Sequence, residues 1–168
     1  LYQILQKVGE VDQYVIVGGY LYGKLEEYVN TCCLEFRSRI KMVYNEKYNV
    51  YGSGYSLMKG IEAIERADEV IFVEGDLFFD ADSFNNVLMS PKDVITVNRA
   101  VALYVDKDDS VYYVYDLNHK LLCIPGAFKA IYNSAQIWKF LSLSKLKKVI
   151  ARLTDRQIKG TNLEIIQG

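Results

Sequence analysis

Histidine and cysteine are scarce in this chain, and each shortage argues against a class of site. The single histidine, His119, stands in a polar, turn-like stretch, and we interpret it as a surface residue. The sequence therefore gives little support for a histidine-based catalytic triad or a zinc site. Three cysteines, Cys32, Cys33 and Cys123, make an odd number, and no two of them have metal-ligand spacing. We interpret them as free thiols and predict a cytoplasmic protein.

An excess of charge of one sign and a run of membrane-spanning length are also missing. Lys and Arg number 20 against 21 Asp and Glu, which gives a formal net charge of −1. That balance gives no support for binding to a nucleic-acid backbone or to an anionic membrane surface. No apolar run approaches the roughly 20 residues of a membrane span. With 51% hydrophobic and 24% charged residues, the composition predicts a single globular domain over residues 1–168.

The spacing of apolar residues predicts alternating helices and strands over the first hundred residues. The predicted order is helix 1–8, strand 13–17, helix 21–34, strand 40–44, a helix capped by Ser53 or Ser56, strand 70–73, a short helix around 84–88, and strand 93–97. This alternation predicts an α/β fold, three-layer α/β/α, in which a mostly parallel sheet has helices on both faces.

The second half of the chain departs from this alternation. Residues 101–105 and 111–115 alternate like the two strands of a late β-hairpin, with a turn at 106–110. From 135 to 153 the apolar spacing is helical. The chain opens inside an amphipathic helix and closes on what resembles the start of a strand, so we expect it to be the middle of a longer protein.

The segment 68–82, DEVIFVEGDLFFDAD, is the most informative part of the chain. Its apolar residues 70–73 predict a buried strand that ends in Glu74-Gly75-Asp76. Ligands of open α/β sheets bind beyond the carboxyl ends of the strands. A carboxylate there, beside a glycine that lets a ligand approach the backbone, suits Mg²⁺ that holds phosphate oxygens. The alternative is that Asp76 and Asp80 are turn and N-cap residues.

Three further segments are candidates for ligand binding. Gly18-Gly19-Tyr20 follows a strand but lacks the spacing of phosphate loops, so a tight turn is favoured. The stretch 45–57, NEKYNVYGSGYSL, carries two glycines around a serine before a helix. It is either a loop that lies against a flat base or a flexible connection. Asn133-Ser134-Ala135-Gln136 either orients a polar substrate through its amides or caps a helix.

In this order, the segments resemble those of a nucleotidyltransferase family. A strand ending in VGGY, a strand leading to NEKYNVYGSGYSL and a strand ending in VIFVEGD are similar to enzymes that couple a nucleoside triphosphate to a phosphorylated small molecule. The phosphocholine cytidylyltransferase-like branch is the most similar. The resemblance covers residues 1–100 well and the remainder loosely, and it depends on order and spacing rather than on one specific motif.

The resemblance implies a nucleotide-diphospho-sugar transferase-like fold and a Mg²⁺-dependent reaction. A nucleoside monophosphate would move from CTP or UTP to a sugar 1-phosphate, phosphocholine or an aminoalkylphosphonate, and pyrophosphate would leave. Asp76, beside Gly75, matches the aspartate that holds Mg²⁺ against the triphosphate. The partners implied are therefore a nucleoside triphosphate and a phosphorylated small-molecule acceptor, with no nucleic acid.

Two other sets of residues receive roles from the resemblance. Gly52-Ser53-Gly54 matches the position where the base is read. The branch often has paired asparagines there, so cytosine and uracil both stay open. Glu74 and the turn that contains Asn133 and Gln136 would face the acceptor.

Elements of the family that this sequence lacks leave alternatives open. The glycine-rich loop with its arginine and the lysine of a Pro-Lys pair are missing, and Asn162 and Glu164 are poor substitutes for a second metal ligand. We therefore expect residues 1–168 alone to be inactive. The alternatives are a GT-A-like glycosyltransferase, which releases a nucleoside diphosphate, and a non-catalytic nucleotide-binding domain. A receiver-type domain agrees poorly with the late hairpin.

Overall fold

Helices and strands alternate over residues 2–95 of the chain. The computed structural model describes residues 1–77, 79–92, 94–95, 114–115, 121–122 and 137–152. The elements are α1 (Tyr2–Val8), β1 (Tyr14–Gly18), α2 (Tyr22–Cys32), a 3₁₀ turn (Arg37–Arg39), β2 (Ile40–Tyr44), α3 (Ser53–Ala63), β3 (Val70–Val73), α4 (Ala81–Leu88), β4 (Val94–Ile95), β5 (Val114–Tyr115), β6 (Leu121–Leu122), β7 (Ile137–Phe140) and α5 (Leu143–Ile150). The predicted order of four helices and four strands through β4 is confirmed, and the protein is of mixed α/β type.

The strands form one parallel pair and two antiparallel groups. β1 and β2 pair in parallel, with Tyr14 opposite Ile40 and Gly18 opposite Tyr44. In the second sheet β7 lies between β3 and β4 and runs antiparallel to both. The expectation of a mostly parallel sheet therefore holds for β1 and β2 but not for the second sheet. β5 pairs antiparallel with β6, while residues 101–105 of the predicted hairpin lie outside the described residues.

Apolar side chains alternate between two faces of the strands, and helices cover both. On one face of β1 and β2, Tyr14 and Ile40 pack with residues of α1 and α2. On the other face α3 approaches so closely that a Cβ at Gly60 would lie 3.2 Å from a methyl of Val17. In the second sheet, Val70 packs with α3 and α5, whereas Ile137 packs with α4. This division follows the period of two along a strand.

The predicted helix over 135–153 is wrong in its first part. Residues 137–140 form strand β7, and the helix begins only at Leu143. The spacing of Ile137, Phe140 and Leu141 imitates a helical face, but the same residues also fit a half-buried strand. The backbone partners on β3 and β4 decide between the two, because a strand between them satisfies both ladders.

Among the helices of the described residues, none combines the length and the apolar character that crossing a membrane requires.

Lys139 is buried in β7 and ties the second sheet to the end of α4. Its side chain is 4% exposed, and its ammonium group donates to the carbonyl oxygens of Leu88 at 2.6 Å and Ser90 at 2.8 Å. The carboxylate of Glu69 lies 3.1 Å away. A buried ammonium group is tolerated where oxygens replace its water shell, as these three do.

We expect the substitution Lys139→Met to destabilise the fold by about 2–3 kcal/mol, because two carbonyls lose their donor and Glu69 loses its partner. Urea unfolding measures this loss. The matched control is Lys145→Met on the exposed face of α5, which should change the free energy of unfolding by less than about 0.5 kcal/mol. Equal effects of the two substitutions would contradict the structural role of Lys139.

Candidate functional site

Three loops that follow β1, β2 and β3 contain most of the candidate residues. Because β1 and β2 are parallel and Gly18 lies opposite Tyr44, their carboxyl ends meet at one edge. The loop after β1 contains Gly19 and Tyr20, and the loop after β2 begins at Asn45. This edge is where open α/β sheets bind their ligands.

Asn45 joins the two loops and the start of α3. It is 2% exposed, and its backbone N–H donates to the Gly18 carbonyl at 2.8 Å. Its side-chain amide donates to the Ser56 hydroxyl at 2.9 Å, and its side-chain oxygen accepts from the backbone N–H of Lys47 at 2.9 Å. A buried amide with all of these partners fixes the path of the chain. The loop after β2 is therefore anchored at its first residue.

The glycine-serine segment that was predicted to read the base begins a helix. Gly52 is the N-cap of α3 in an extended conformation, while Ser53 and Gly54 form its first turn. The prediction that Ser53 or Ser56 caps the helix is wrong, since within the described residues no side chain provides that cap. Gly54 is buried, whereas residues 46–50 of the same segment are exposed. The accessible part of the loop thus precedes the glycines.

A charged network supports this loop from the side of α3. The Tyr55 hydroxyl donates to the carboxylate of Glu46 at 2.6 Å, and the Lys59 ammonium lies 3.4 Å from that carboxylate. The hydrogen bond from Tyr55 is the largest cause that lowers the pKa of Glu46 from 4.5 to about 2. The same bond to an anion raises the pKa of Tyr55 to about 12.

We expect Tyr55→Phe to raise the pKa of Glu46 from about 2 toward its usual range. A ¹³C NMR titration of the Glu46 carboxyl carbon measures this change. Because the pKa of Glu46 is lower in the folded state than in the unfolded state, its ionised carboxylate stabilises the fold. This stabilisation is present above the usual glutamate pKa and is lost as the pH falls through about 2. The pKa of Tyr55 is raised instead of lowered. Its contribution to the stability of the fold is therefore present below the usual tyrosine pKa and is lost as the pH rises through about 12.

Lys59→Met should shift the pKa of Glu46 less than Tyr55→Phe does, since Lys59 ranks below Tyr55 among the causes. Tyr44→Phe removes a hydroxyl from a tyrosine that is 47% exposed, and it serves as the control. A Glu46 pKa that is the same in Tyr55→Phe and in the unsubstituted protein would contradict the assigned hydrogen bond.

The loop after β3 presents the carboxylate that was predicted to hold a metal. Glu74 is half-buried, whereas Gly75 and Asp76 are exposed in a turn that the Leu77 N–H closes onto the Glu74 carbonyl at 3.4 Å. A Cβ at Gly75 would meet no atom of the described residues within 4 Å, so the backbone there is open to a ligand. Among the residues that the structure describes, the Asp76 carboxylate has no hydrogen-bond or ion-pair partner.

The loop after β3 offers one exposed carboxylate, that of Asp76, as an oxygen ligand. Among the described residues, no group of three or more His, Cys, Asp or Glu could hold a metal ion. Mg²⁺ does not need such a cage, since proteins commonly hold it through one or two carboxylates while substrate phosphates supply further oxygens. Asp76 meets that requirement as an oxygen ligand, and Mg²⁺ alone would bind it weakly.

Asp80 has the capping position that was considered as an alternative. It directly precedes α4, and its carbonyl accepts from the Phe84 N–H at 3.3 Å. The chain between Asp76 and Asp80 is attached to α1, because the Lys7 ammonium donates to the Phe79 carbonyl at 2.5 Å. The alternative interpretation therefore agrees with the structure at both positions, since Asp76 lies in a turn and Asp80 directly precedes α4.

The candidate acceptor residues Asn133 and Gln136 lie outside the described residues. The strand that follows them is described, and its first residue, Ile137, pairs with Val73. Val73 is the residue directly before Glu74. β7 therefore begins at the sheet end where β3 finishes.

Sequence reasoning located the strand ends but missed the residues that hold the loops. Asn45 was recognised only as the start of a polar loop, although a polar residue directly after a strand is itself a signal for an anchor. The pairing of Glu46 with Tyr55 has no local signal. It depends on the loop turning back onto α3.

Comparison with known proteins relates the chain to a family. No curated protein matches the chain significantly. A family model described as a domain of unknown function, DUF6564, matches residues 1–168. The match covers the full sequence, so the chain belongs to the DUF6564 family.

Proposed function

We propose that this chain is the nucleotide-binding part of a Mg²⁺-dependent nucleotidyltransferase. It would move a nucleoside monophosphate from CTP or UTP to a sugar 1-phosphate, phosphocholine or a related phosphorylated small molecule, with release of pyrophosphate. The observation that carries the proposal is the exposed carboxylate of Asp76 at the carboxyl end of β3, which has no partner among the described residues. The order of the three strand-end segments in the sequence supports it.

The arrangement of helices supports a three-layer α/β/α fold for this function. α1, α2 and α4 pack with one set of strand residues, and α3 and α5 pack with the other set. β1 and β2 are parallel. In such a fold the loops after successive strands converge on one edge, which would bring Asp76 toward the loop after β2.

The proposed reaction is an in-line displacement at the α-phosphorus of the nucleotide. An oxygen of the acceptor phosphate or phosphonate forms a new P–O bond, while the bond from the α-phosphorus to the bridging oxygen breaks and pyrophosphate leaves. Such a reaction needs positioning and charge stabilisation more than covalent help. Bound Mg²⁺ would supply charge neutralisation of the triphosphate.

The residues of the chain would position the reactants. The carboxylate of Asp76 would hold Mg²⁺ against the triphosphate, and the open backbone at Gly75 would let the phosphates approach. The N-terminal end of α3 carries a partial positive charge, and no side chain within the described residues caps it. Because β7 begins opposite the end of β3, Glu74 is on the proposed acceptor side, together with Asn133 and Gln136 as the resemblance implies.

Product analysis tests this proposal. The natural full-length chain is incubated with Mg²⁺, CTP or UTP, and a panel of sugar 1-phosphates, phosphocholine and aminoalkylphosphonates. ³¹P NMR should show pyrophosphate together with a nucleoside diphosphate-linked product. Release of a nucleoside diphosphate from a nucleotide sugar, without pyrophosphate formation, would instead identify a glycosyltransferase. Nucleotide binding that is indifferent to Mg²⁺ and gives no product would identify a non-catalytic domain.

A further inference from the structure

Two exposed tyrosines approach each other beyond the carboxyl ends of β1 and β2. Tyr20 follows β1, Tyr48 follows β2, and their ring centroids are 6.3 Å apart with the planes tilted by 51°. Tyr20 is 75% exposed and Tyr48 is 41% exposed. Leu21 and Val50 in the same two loops are also exposed. Exposed aromatic and apolar side chains therefore lie in both loops at the edge where open α/β sheets bind their ligands.

The backbone under these side chains is constrained. Leu21 has a φ of 54°, a left-handed conformation that is unfavourable for a leucine. Gly19 lies against Tyr48 so closely that a Cβ at Gly19 would be 2.2 Å from the Cβ of Tyr48. Strained residues persist where the surrounding structure holds them, and they concentrate at ligand sites. The loop after β1 is therefore built to hold Tyr20 out in solvent beside Tyr48.

The loop after β2 turns Tyr48 outward and Tyr51 inward. The N–H groups of Val50 and Tyr51 donate to the Lys47 carbonyl at 3.0 Å and 2.9 Å, which forms one helical turn. Tyr51 then packs edge-on against Tyr55, with ring centroids 5.0 Å apart. Tyr48 takes no part in that internal contact and stays at the surface.

We infer that Tyr20 and Tyr48 form the aromatic surface on which the pyrimidine ring of the nucleotide stacks, an inference that rests on the proposed function. A pyrimidine ring stacks on an exposed aromatic face at about 3.5 Å. The two tyrosine rings already contact each other with their planes tilted by 51°, so the base stacks on their solvent-exposed side, to which Tyr20 contributes the larger exposed fraction. Base stacking on aromatic rings tolerates either pyrimidine.

Isothermal titration with two probes tests the inference. Mg²⁺·CTP carries the base, whereas Mg²⁺·tripolyphosphate carries phosphates without a base. Tyr20→Leu and Tyr48→Leu should each weaken Mg²⁺·CTP binding about tenfold and leave Mg²⁺·tripolyphosphate binding unchanged. Tyr20→Phe and Tyr48→Phe keep the stacking face and should bind CTP normally. Tyr28→Leu on α2, where the tyrosine is 40% exposed, is the control for loss of a surface tyrosine.

The outcomes separate this inference from the proposed function. Mg²⁺-dependent CTP binding that survives both leucine substitutions overturns the tyrosine pair alone. An equal loss for CTP and tripolyphosphate also overturns it, because the loss would then not concern the base. If the unsubstituted protein does not bind CTP with Mg²⁺, the proposed function fails together with the inference. Thermal unfolding confirms that each variant is folded, which the exposure of Tyr20 favours.

Discussion

Asp76→Asn will weaken the binding of CTP or UTP in the presence of Mg²⁺ by at least about thirtyfold, since a carboxylate ligand to the metal contributes on the order of 2 kcal/mol or more. Without Mg²⁺ the substituted and unsubstituted proteins will bind the nucleotide equally weakly. Asparagine keeps the size of the side chain but removes its charge. Titration calorimetry with and without Mg²⁺ measures both effects.

Asp68→Asn is the matched control for Asp76→Asn. Asp68 is also exposed, and it lies before β3, whereas Asp76 follows it. Its substitution changes the net charge by the same amount at the other end of the strand. Nucleotide affinity should therefore be unchanged in Asp68→Asn. If the two variants lose affinity equally, the effect is one of overall charge, and the assignment of Asp76 as a metal ligand is wrong.

Phe84→Ala will lower the free energy of unfolding by about 3–5 kcal/mol. Phe84 is fully buried and packs with Val87 and Ile137 at the centre of the core between α4 and the second sheet. Its ring stacks on Phe79 with centroids 5.7 Å apart and planes 28° from parallel. The substitution leaves a cavity in a place where helix and sheet residues surround the ring, and the neighbours relax only partly.

Met89→Ala is the control for Phe84→Ala, because Met89 directly follows α4 and is 79% exposed. It should change the free energy of unfolding by less than about 0.5 kcal/mol. Phe79 and Leu77, which lie in the loop that contains Asp76, also pack on this core. The milder Phe84→Leu should therefore weaken nucleotide binding if the core positions that loop. A loss of stability below about 1 kcal/mol in Phe84→Ala would contradict the packing described.

The first half of the fold could be predicted from the sequence because its signals are local. Strands such as 40–44 and 70–73 are short apolar runs bounded by polar or glycine residues, and the structure has them at those bounds. α1 ends at Gly9, whose φ of 74° is a conformation that glycine adopts without strain. Where polar or glycine residues mark the ends of a segment and the spacing of its apolar residues fits one secondary structure, the element can be predicted from its own residues.

The second half could not be predicted in the same way because its structure depends on distant partners. Residues 137–140 become a strand by pairing with residues 70–73, which lie far away in the sequence. Lys139 was placed in a helix, and its burial against the end of α4 has no local signal. Tertiary pairing of this kind overrides a pattern that also fits a helix.

In the candidate site, too, some features follow from the local sequence and others depend on residues that are distant in the chain. The position of Asp76 after an apolar strand follows from the sequence, and the structure has it there, although only Val70 of that strand is buried. The contact of Tyr20 with Tyr48 arises only because β1 and β2 are parallel neighbours, so that their loops meet. Asn45 connects these loops through bonds to Gly18 and Ser56, which are separated from it by 27 and 11 residues.

A crystal of the protein grown with CTP and Mn²⁺ tests the assignment of Asp76 as a metal ligand, since Mn²⁺ takes the place of Mg²⁺ and is located by its anomalous scattering. We expect a metal peak at coordination distance, about 2.1 Å, from a carboxylate oxygen of Asp76, with phosphate oxygens of the nucleotide among its other ligands. A bound nucleotide whose metal lies elsewhere, with the Asp76 side chain directed away from it, would show that Asp76 is not the metal ligand.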